Sequence, residues 1–150
     1  MRVLIQKSLE SSVIVDKKIV GRIENGLVLF VGFTNTDNLE DIDYLVKKIL
    51  NLRIFEDKFG NMFKSILDID GSILSVSQFT LYANTIKGNR PSFIEALNSN
   101  DAKILYDIFN QELIKNNIKL STGIFGADMQ VNIKNDGPVT IMLESRKKYV

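Results

Sequence analysis

"GLVLFVGF", residues 26–33, is eight residues of almost wholly apolar, β-rich sequence with no polar side chain. A run of that length and character reads as a central strand buried on both faces of a sheet. The chain around it fills in the sheet. Upstream, "RVLIQKSL" (2–9) and "SSVIVD" (11–16) read as two short strands, and "KKIVGRI" (17–23) follows after a tight turn at Asp16-Lys17-Lys18. Downstream the period changes. In "TNTDNLEDIDYLVKKILNLRIF" (34–55), Leu39, Ile42, Leu45, Val46, Ile49 and Leu52 follow helical spacing, with Thr36 or Asp37 as N-cap and Lys47 and Lys48 near the other end.

The pattern continues. "EDKFGNMFK" (56–64) reads as a polar turn region, "GSILSVSQFTLYA" (71–83) as a long strand and "NTIKGNRPS" (84–92) as a loop with two cations. "SFIEALN" (92–98) reads as a short helix, and "SNDAKILYDIFNQELIKNN" (99–117) as a long one with Leu105, Ile108, Phe109 and Leu113 on a stripe. "ADMQVNIK" (127–134) alternates strictly, as a strand with one buried face does, and "VTIMLES" (139–145) follows it. The expectation is a single α+β domain over residues 1–150: a mostly antiparallel sheet or half-barrel with two long helices packed on it.

Composition narrows the chemistry. The chain has 150 residues, 45% hydrophobic and 25% charged, enough for one domain with a real core. No apolar run approaches the length of a membrane span, and "MRVLIQKS" reads as a strand rather than a signal peptide, so a cytoplasmic protein is the default. A net charge of +1 argues against broad wrapping of nucleic acid but not against gripping one end of it. There is no His, no Cys and no Trp. Ser-His and Cys-His nucleophilic pairs, imidazole acid–base work and the usual zinc sites are thereby excluded.

Two stretches carry the functional question. In "NDGPVT" (135–140), Gly137-Pro138 holds one of only two prolines, next to a strand. Residue by residue it reads as a β-hairpin turn with Pro138 opening the second strand, or as a cis Gly-Pro bond. In "SQFT" (77–80), strand alternation places Val76, Gln78 and Thr80 on one face and Ser77 and Phe79 on the other. Hydroxyls and an amide at a strand end are usually inert, and no histidine exists to activate Thr80.

Taken together, "SQFTLYA" (77–83) and "NDGPVT" resemble the two signature motifs of the D-aminoacyl-tRNA deacylases. The opening "MRVLIQ", "GLVLFVG" (26–32), "LRIFED" (52–57), "KGNRPSF" (87–93) and "TGIFGADMQV" (122–131) resemble the same family in the same order, over nearly the whole chain. The resemblance implies a homodimer, with no metal and no other cofactor, that hydrolyses the ester between a D-amino acid and the 3′-terminal ribose of a tRNA. It implies that Gly137-Pro138 is cis and enters the partner's active site, with carbonyl oxygens aimed at the substrate α-carbon. Such a wall accepts hydrogen bonds from the ammonium and leaves no room for an L side chain, so one pocket serves many D-amino acids and mischarged glycine is poorly excluded.

The resemblance carries Ser77, Gln78, Phe79 and Thr80 over as the catalytic strand, and Phe125 and Met129 as the lining of the terminal adenosine pocket. Two routes remain open: the Thr80 hydroxyl as nucleophile, or backbone N–H groups near Phe79 and Thr80 as an oxyanion hole with the ribose 2′-hydroxyl helping to activate water. The second is preferred, since no base serves Thr80. The sequence departs from the family pattern at Lys7, where an Arg usually helps lock the dipeptide through its carbonyls, and at Phe63, where an Asn is usual. Lys lacks the planar fork, so the lock is expected to be looser. A non-catalytic dimer that binds tRNA ends and a general Thr esterase are the competing classes.

Overall fold

The computed structural model describes residues 1–147. The run at 26–33 becomes strand β3 (Gly26–Gly32), buried along its length except for half-buried Phe30. It is flanked by β1 (Arg2–Val15) on one side and β6 (Ser72–Ser77) on the other; with β2 (Lys18–Ile23) and β7 (Lys119–Thr122) the sheet is ordered β2-β1-β3-β6-β7, and β8 (Gln130–Glu144) pairs with β1 off this path. β2 (Lys18–Ile23) joins β1 through a turn at Asp16 and Lys17, both at positive φ as the two-residue hairpin loop requires.

The sheet is mixed. β1 runs antiparallel to β2, β3 and β8, but β3–β6 and β6–β7 are parallel. Parallel neighbours need long crossovers. Helix α1 (Leu39–Asn51) and the small hairpin of β4 (Phe55–Glu56) and β5 (Met62–Lys64) lie on the first; α2 (Ser99–Lys115) lies on the second, before β7 (Lys119–Thr122). A fully apolar strand reads alike with parallel or antiparallel neighbours, so the pattern concealed this.

Both faces of the sheet are covered. On one, α1 and α2 pack Leu45, Ile49, Phe109 and Leu113 against Val3, Ile5, Leu29 and Ile73. On the other the sheet curls on itself over a smaller core of Val13, Ile23, Val28, Leu74 and Val76. The curl nearly closes the half-barrel: the Ser121 hydroxyl of β7 donates to the Arg22 carbonyl of β2 at 2.9 Å. Gly21 makes that approach possible, since a Cβ there would lie 2.4 Å from the Thr122 carbonyl oxygen. No helix among the described residues is long and apolar enough to cross a membrane.

Several local expectations change. β1 is one strand of 14 residues rather than two. Its alternation slips where its register with β8 is irregular, between Gln6 and Ser8 and between Ser8 and Ser11. The N-cap of α1 is Asn38, not Thr36 or Asp37: its side chain accepts from the Glu40 N–H, and Asp41 accepts from the Asn38 N–H in return. Asp37 instead receives the Met1 ammonium at 2.5 Å. Burial lowers the pKa of that ammonium despite the nearby carboxylates. Residues 92–98 are not a helix. They return along the end of β3, with Thr34 bridged to Ala96 and the Leu97 N–H donating to the Phe33 carbonyl at 3.0 Å. The strand from 71 stops at Ser77, and Phe79–Tyr82 form a 3₁₀ turn.

Gly21→Ala should cost about 1–3 kcal/mol, the usual penalty for forcing atoms into a packed interior. Thermal unfolding of the variant should show a clear fall in Tm; an unchanged Tm would mean that β2 and β7 can part without cost.

Candidate active site

Strand β6 delivers "SQFT" and then abandons strand geometry. The Gln78 N–H makes the last sheet bond, to the Val31 carbonyl at 2.8 Å. The chain then turns at Gln78 (φ −147°, ψ 82°) into the 3₁₀ segment, closed by the Ala83 N–H on the Thr80 carbonyl at 3.0 Å. Strand alternation of Gln78, Phe79 and Thr80 is therefore lost. The first N–H groups of any helix have no acceptor within it, and the amides of Phe79 and Thr80 take no part in the hydrogen bonds among the described residues. They are free donors at the end of a buried strand.

Beside them lies a cavity of about 590 Å³. Ser77, Gln78 and Phe79 form one wall and Phe125 and Met129 another; Val31, Val76 and Ala102 line it between the sheet and α2, and Phe93 stands opposite Phe79. The Phe79 and Phe93 rings meet edge to face at 5.0 Å, with Phe79 still 56% exposed. The lining is mostly apolar with few polar groups, which suits a flat heterocycle held by its faces.

The wall is braced from behind. The Tyr106 ring of α2 packs against Phe125 at 5.8 Å, its hydroxyl donates to the Ser75 carbonyl at 2.9 Å, and the Ser75 hydroxyl donates back at 3.2 Å. Burial raises the Tyr106 pKa over the opposing pull of Ser75 and Asn110, so the phenol stays neutral and serves as a strut. Tyr82, at the far end of the turn, is likewise raised by burial.

Thr80 is exposed and does not line the cavity. Its hydroxyl oxygen accepts a hydrogen bond from the Gln78 side-chain amide, a group that cannot take up a proton. Among the described residues no three carboxylates gather to hold a metal ion.

Lys7, Gly137 and Pro138 do not line this cavity either. The Gly137-Pro138 peptide is cis. It does not sit in a hairpin turn: β8 is one 15-residue strand, and both of its halves pair with the same strand, β1. Register passes from Gln6–Thr140 to Ser8–Asn135, so residues 136–139 bulge out opposite Lys7 alone. A hairpin and a long bulge share the same turn residues, and only the pairing partner tells them apart. Gly137 and Pro138 are exposed at the bulge, and Gly137 has a φ of +114°. The Lys7 ammonium lies 3.6 Å from the Asp136 carboxylate and over the Phe55 ring at 5.7 Å, rather than on the carbonyls of Gly137 or Pro138. Phe93, Ala102 and Asn135 were missed as site residues. Phe93, at the end of "KGNRPSF", and Asn135, at the start of "NDGPVT", both lie inside motifs that resemble the family; Ala102 left no signal.

Comparison with known proteins bears on the family and the fold. The family model described as D-Tyr-tRNA(Tyr) deacylase matches residues 4–144. The D-aminoacyl-tRNA deacylase of Clostridium novyi (strain NT) is 52% identical over 153 residues, covering 99% of this chain and 100% of that protein. The solved structure of a c-Myc DNA unwinding element binding protein superposes with a TM-score of 0.91 at 40% identity, over 96% of this chain and 98% of that one. A probable eukaryotic D-amino acid tRNA deacylase superposes with a TM-score of 0.82 at 20% identity, over 95% and 97% of the two chains, and bears on the fold alone. The chain belongs to the D-Tyr-tRNA(Tyr) deacylase family, a family of hydrolases.

Tyr106→Phe removes both strut bonds to Ser75, while the Ser75 carbonyl keeps the Gly123 N–H at 3.1 Å. Urea unfolding should show a loss of about 1 kcal/mol; no loss would mean that the strut carries no load.

Proposed function

We propose that this chain hydrolyses the ester between a D-amino acid, or mischarged glycine, and the 3′-terminal ribose of a tRNA, with residues 1–150 as one domain of a cytoplasmic homodimer. One observation supports the chemistry above others: two free backbone donors, Phe79 and Thr80, flank an apolar cavity that offers no acid–base side chain.

The terminal adenine enters the cavity between Phe125 and Met129. The ester carbonyl then lies over the 3₁₀ turn. Water adds to the carbonyl carbon, the oxyanion takes the N–H groups of Phe79 and Thr80, and the carbon–oxygen bond to the ribose 3′-oxygen breaks. The neighbouring 2′-hydroxyl helps to activate the water as its proton passes to the departing oxygen. Each preorganised donor is worth about 3–4 kcal/mol, and the 2′-hydroxyl adds proximity without a protein side chain. Ser77 and Gln78 shape the wall. Thr80 acts through its backbone, in keeping with a hydroxyl that has only an amide donor for company.

Chiral selection falls to Gly137 and Pro138 of the partner subunit, with Lys7 holding the base of their bulge. Two features support the dimer. The dipeptide is exposed and away from its own cavity, and β8 has no strand on its outer edge among the described residues. A free edge of that length is usually covered. Carbonyl oxygens on the bulge accept the substrate ammonium and crowd out an L side chain.

Backbone and side chain can be separated at one position. Thr80→Ala should keep measurable activity. Thr80→Pro removes the hydroxyl, as Thr80→Ala does, and the N–H donor besides, in the first turn of the 3₁₀ segment where proline is tolerated; it should lower kcat by roughly 10²–10³ relative to Thr80→Ala. A tRNA ending in 2′-deoxyadenosine should be cleaved much more slowly by the wild type. Complete loss with Thr80→Ala, together with normal cleavage of the deoxy substrate, would overturn this route.

The dimer has its own test. Thr80→Pro and Gly137→Ala homodimers, mixed under exchange conditions, should recover on the order of a quarter of wild-type activity, since half the dimers become mixed and each mixed dimer has one intact composite site. No recovery with mixed dimers present would place the whole site within one subunit.

A further inference from the structure

We infer that Asn135 is the clasp that sets the position of the Gly137-Pro138 bulge, and is thereby a positioning residue for chiral selection. This rests on the proposed role of the bulge. The bulge spans four residues, 136–139, with one residue of β1 opposite, so the strand ladder alone does not fix it. The Asn135 side chain closes its base. Its Nδ2 donates to the Lys7 carbonyl at 3.0 Å and to the Val139 carbonyl at 3.1 Å. Its Oδ1 accepts from the Thr140 hydroxyl at 3.1 Å and from the Gln6 amide at 3.4 Å. Gln6 also donates to the Thr140 hydroxyl at 3.2 Å.

Every hydrogen-bonding capacity of the amide is thus used: two donors on two carbonyls, and one oxygen on two donors. The reversed amide would set its oxygen against both carbonyls, so the orientation is fixed by chemistry. Three of the four bonds tie Lys7, opposite the bulge, Val139, its last residue, and Thr140, just beyond it, to one planar group. The Lys7–Asp136 contact, at 3.6 Å and with Asp136 partly exposed, is the weaker tie.

Aspartate at 135 would keep the acceptor and lose the donor. A carboxylate would face the carbonyls of Lys7 and Val139 and push the bulge away. Protonation would restore one donor. The charged groups that face this position are Lys7 from β1 and Asp136 from the bulge itself, already paired with each other.

The experiment is the ratio of D- to L-tyrosyl-tRNA hydrolysis for wild type, N135A, N135D and Gly137→Ala between pH 5 and 8, with thermal unfolding of each. N135A should lower the ratio by roughly tenfold at every pH, the loss of this part-buried network being worth about that much. N135D should lower it at least as far at pH 8 and recover severalfold toward pH 5, a swing that general loosening would not produce. An unchanged ratio in folded N135A and N135D, with Gly137→Ala still impaired, would overturn the clasp alone. An unchanged ratio in Gly137→Ala would overturn the role of the bulge itself. If the Asn135 variants do not fold, the Gln6→Leu/Thr140→Val double variant, which strips the donors from Oδ1, should lower the ratio severalfold; no change there would equally overturn the clasp.

Discussion

Burying β3 on both faces is the constraint on which the rest of the structure depends. A strand covered on two sides must find hydrogen-bond partners along both edges, and β1 and β6 supply them. The helices then close one face and the curl of the sheet closes the other. The same strand builds the site. Its last residues line the cavity, and the Val31 carbonyl holds the Gln78 N–H at the point where β6 becomes a 3₁₀ turn. The two free amides are placed by a buried backbone pairing, which makes them stiffer than any pair of surface side chains would be.

That stiffness suits a chain without histidine or cysteine. An aminoacyl ester is already labile, so stabilising the charge of its tetrahedral intermediate and holding it in place can replace acid–base chemistry. In the proposed reading the backbone would serve selection in the same way. A bulge of carbonyl oxygens would make no demand on the identity of a D side chain, and would refuse an L side chain by occupying its space. Catalysis and discrimination would then both rest on main-chain groups, with side chains such as Tyr106 and Asn135 acting as braces.

Much of this was legible in the sequence. The apolar run at 26–33, the two long helical stripes and the Asp16-Lys17 turn all carry strong local signals, and each appears in the structure. The errors occur where tertiary pairing overrides local pattern. "SFIEALN" has helical composition, but the end of β3 claims its backbone groups. "SQFTLYA" has strand composition, but the ladder stops at Gln78. β7, with only four residues, gave no periodicity to detect, and its parallel pairing is invisible without the crossover. "NDGP" supports a hairpin and a bulge equally well by itself, and only its resemblance to a family motif favoured a cis bond. The resemblance also marked Phe125 and Met129, whose residue types alone suggest ordinary core; Asn135 lay inside a quoted motif, yet its four bonds come from residues far apart in sequence.

The central claim is that main-chain N–H groups, rather than the Thr80 hydroxyl, meet the reacting carbonyl. It is tested most directly by a crystal structure with an adenosine whose 3′-position carries D-tyrosine through an amide, which mimics the ester and resists cleavage. The account predicts the adenine between Phe125 and Met129, the carbonyl oxygen about 2.7–3.1 Å from the N–H groups of Phe79 and Thr80, and the α-ammonium on the carbonyl of Gly137 of the partner subunit. A carbonyl oxygen turned away from both amides, with the Thr80 hydroxyl poised on the carbonyl carbon, would contradict it.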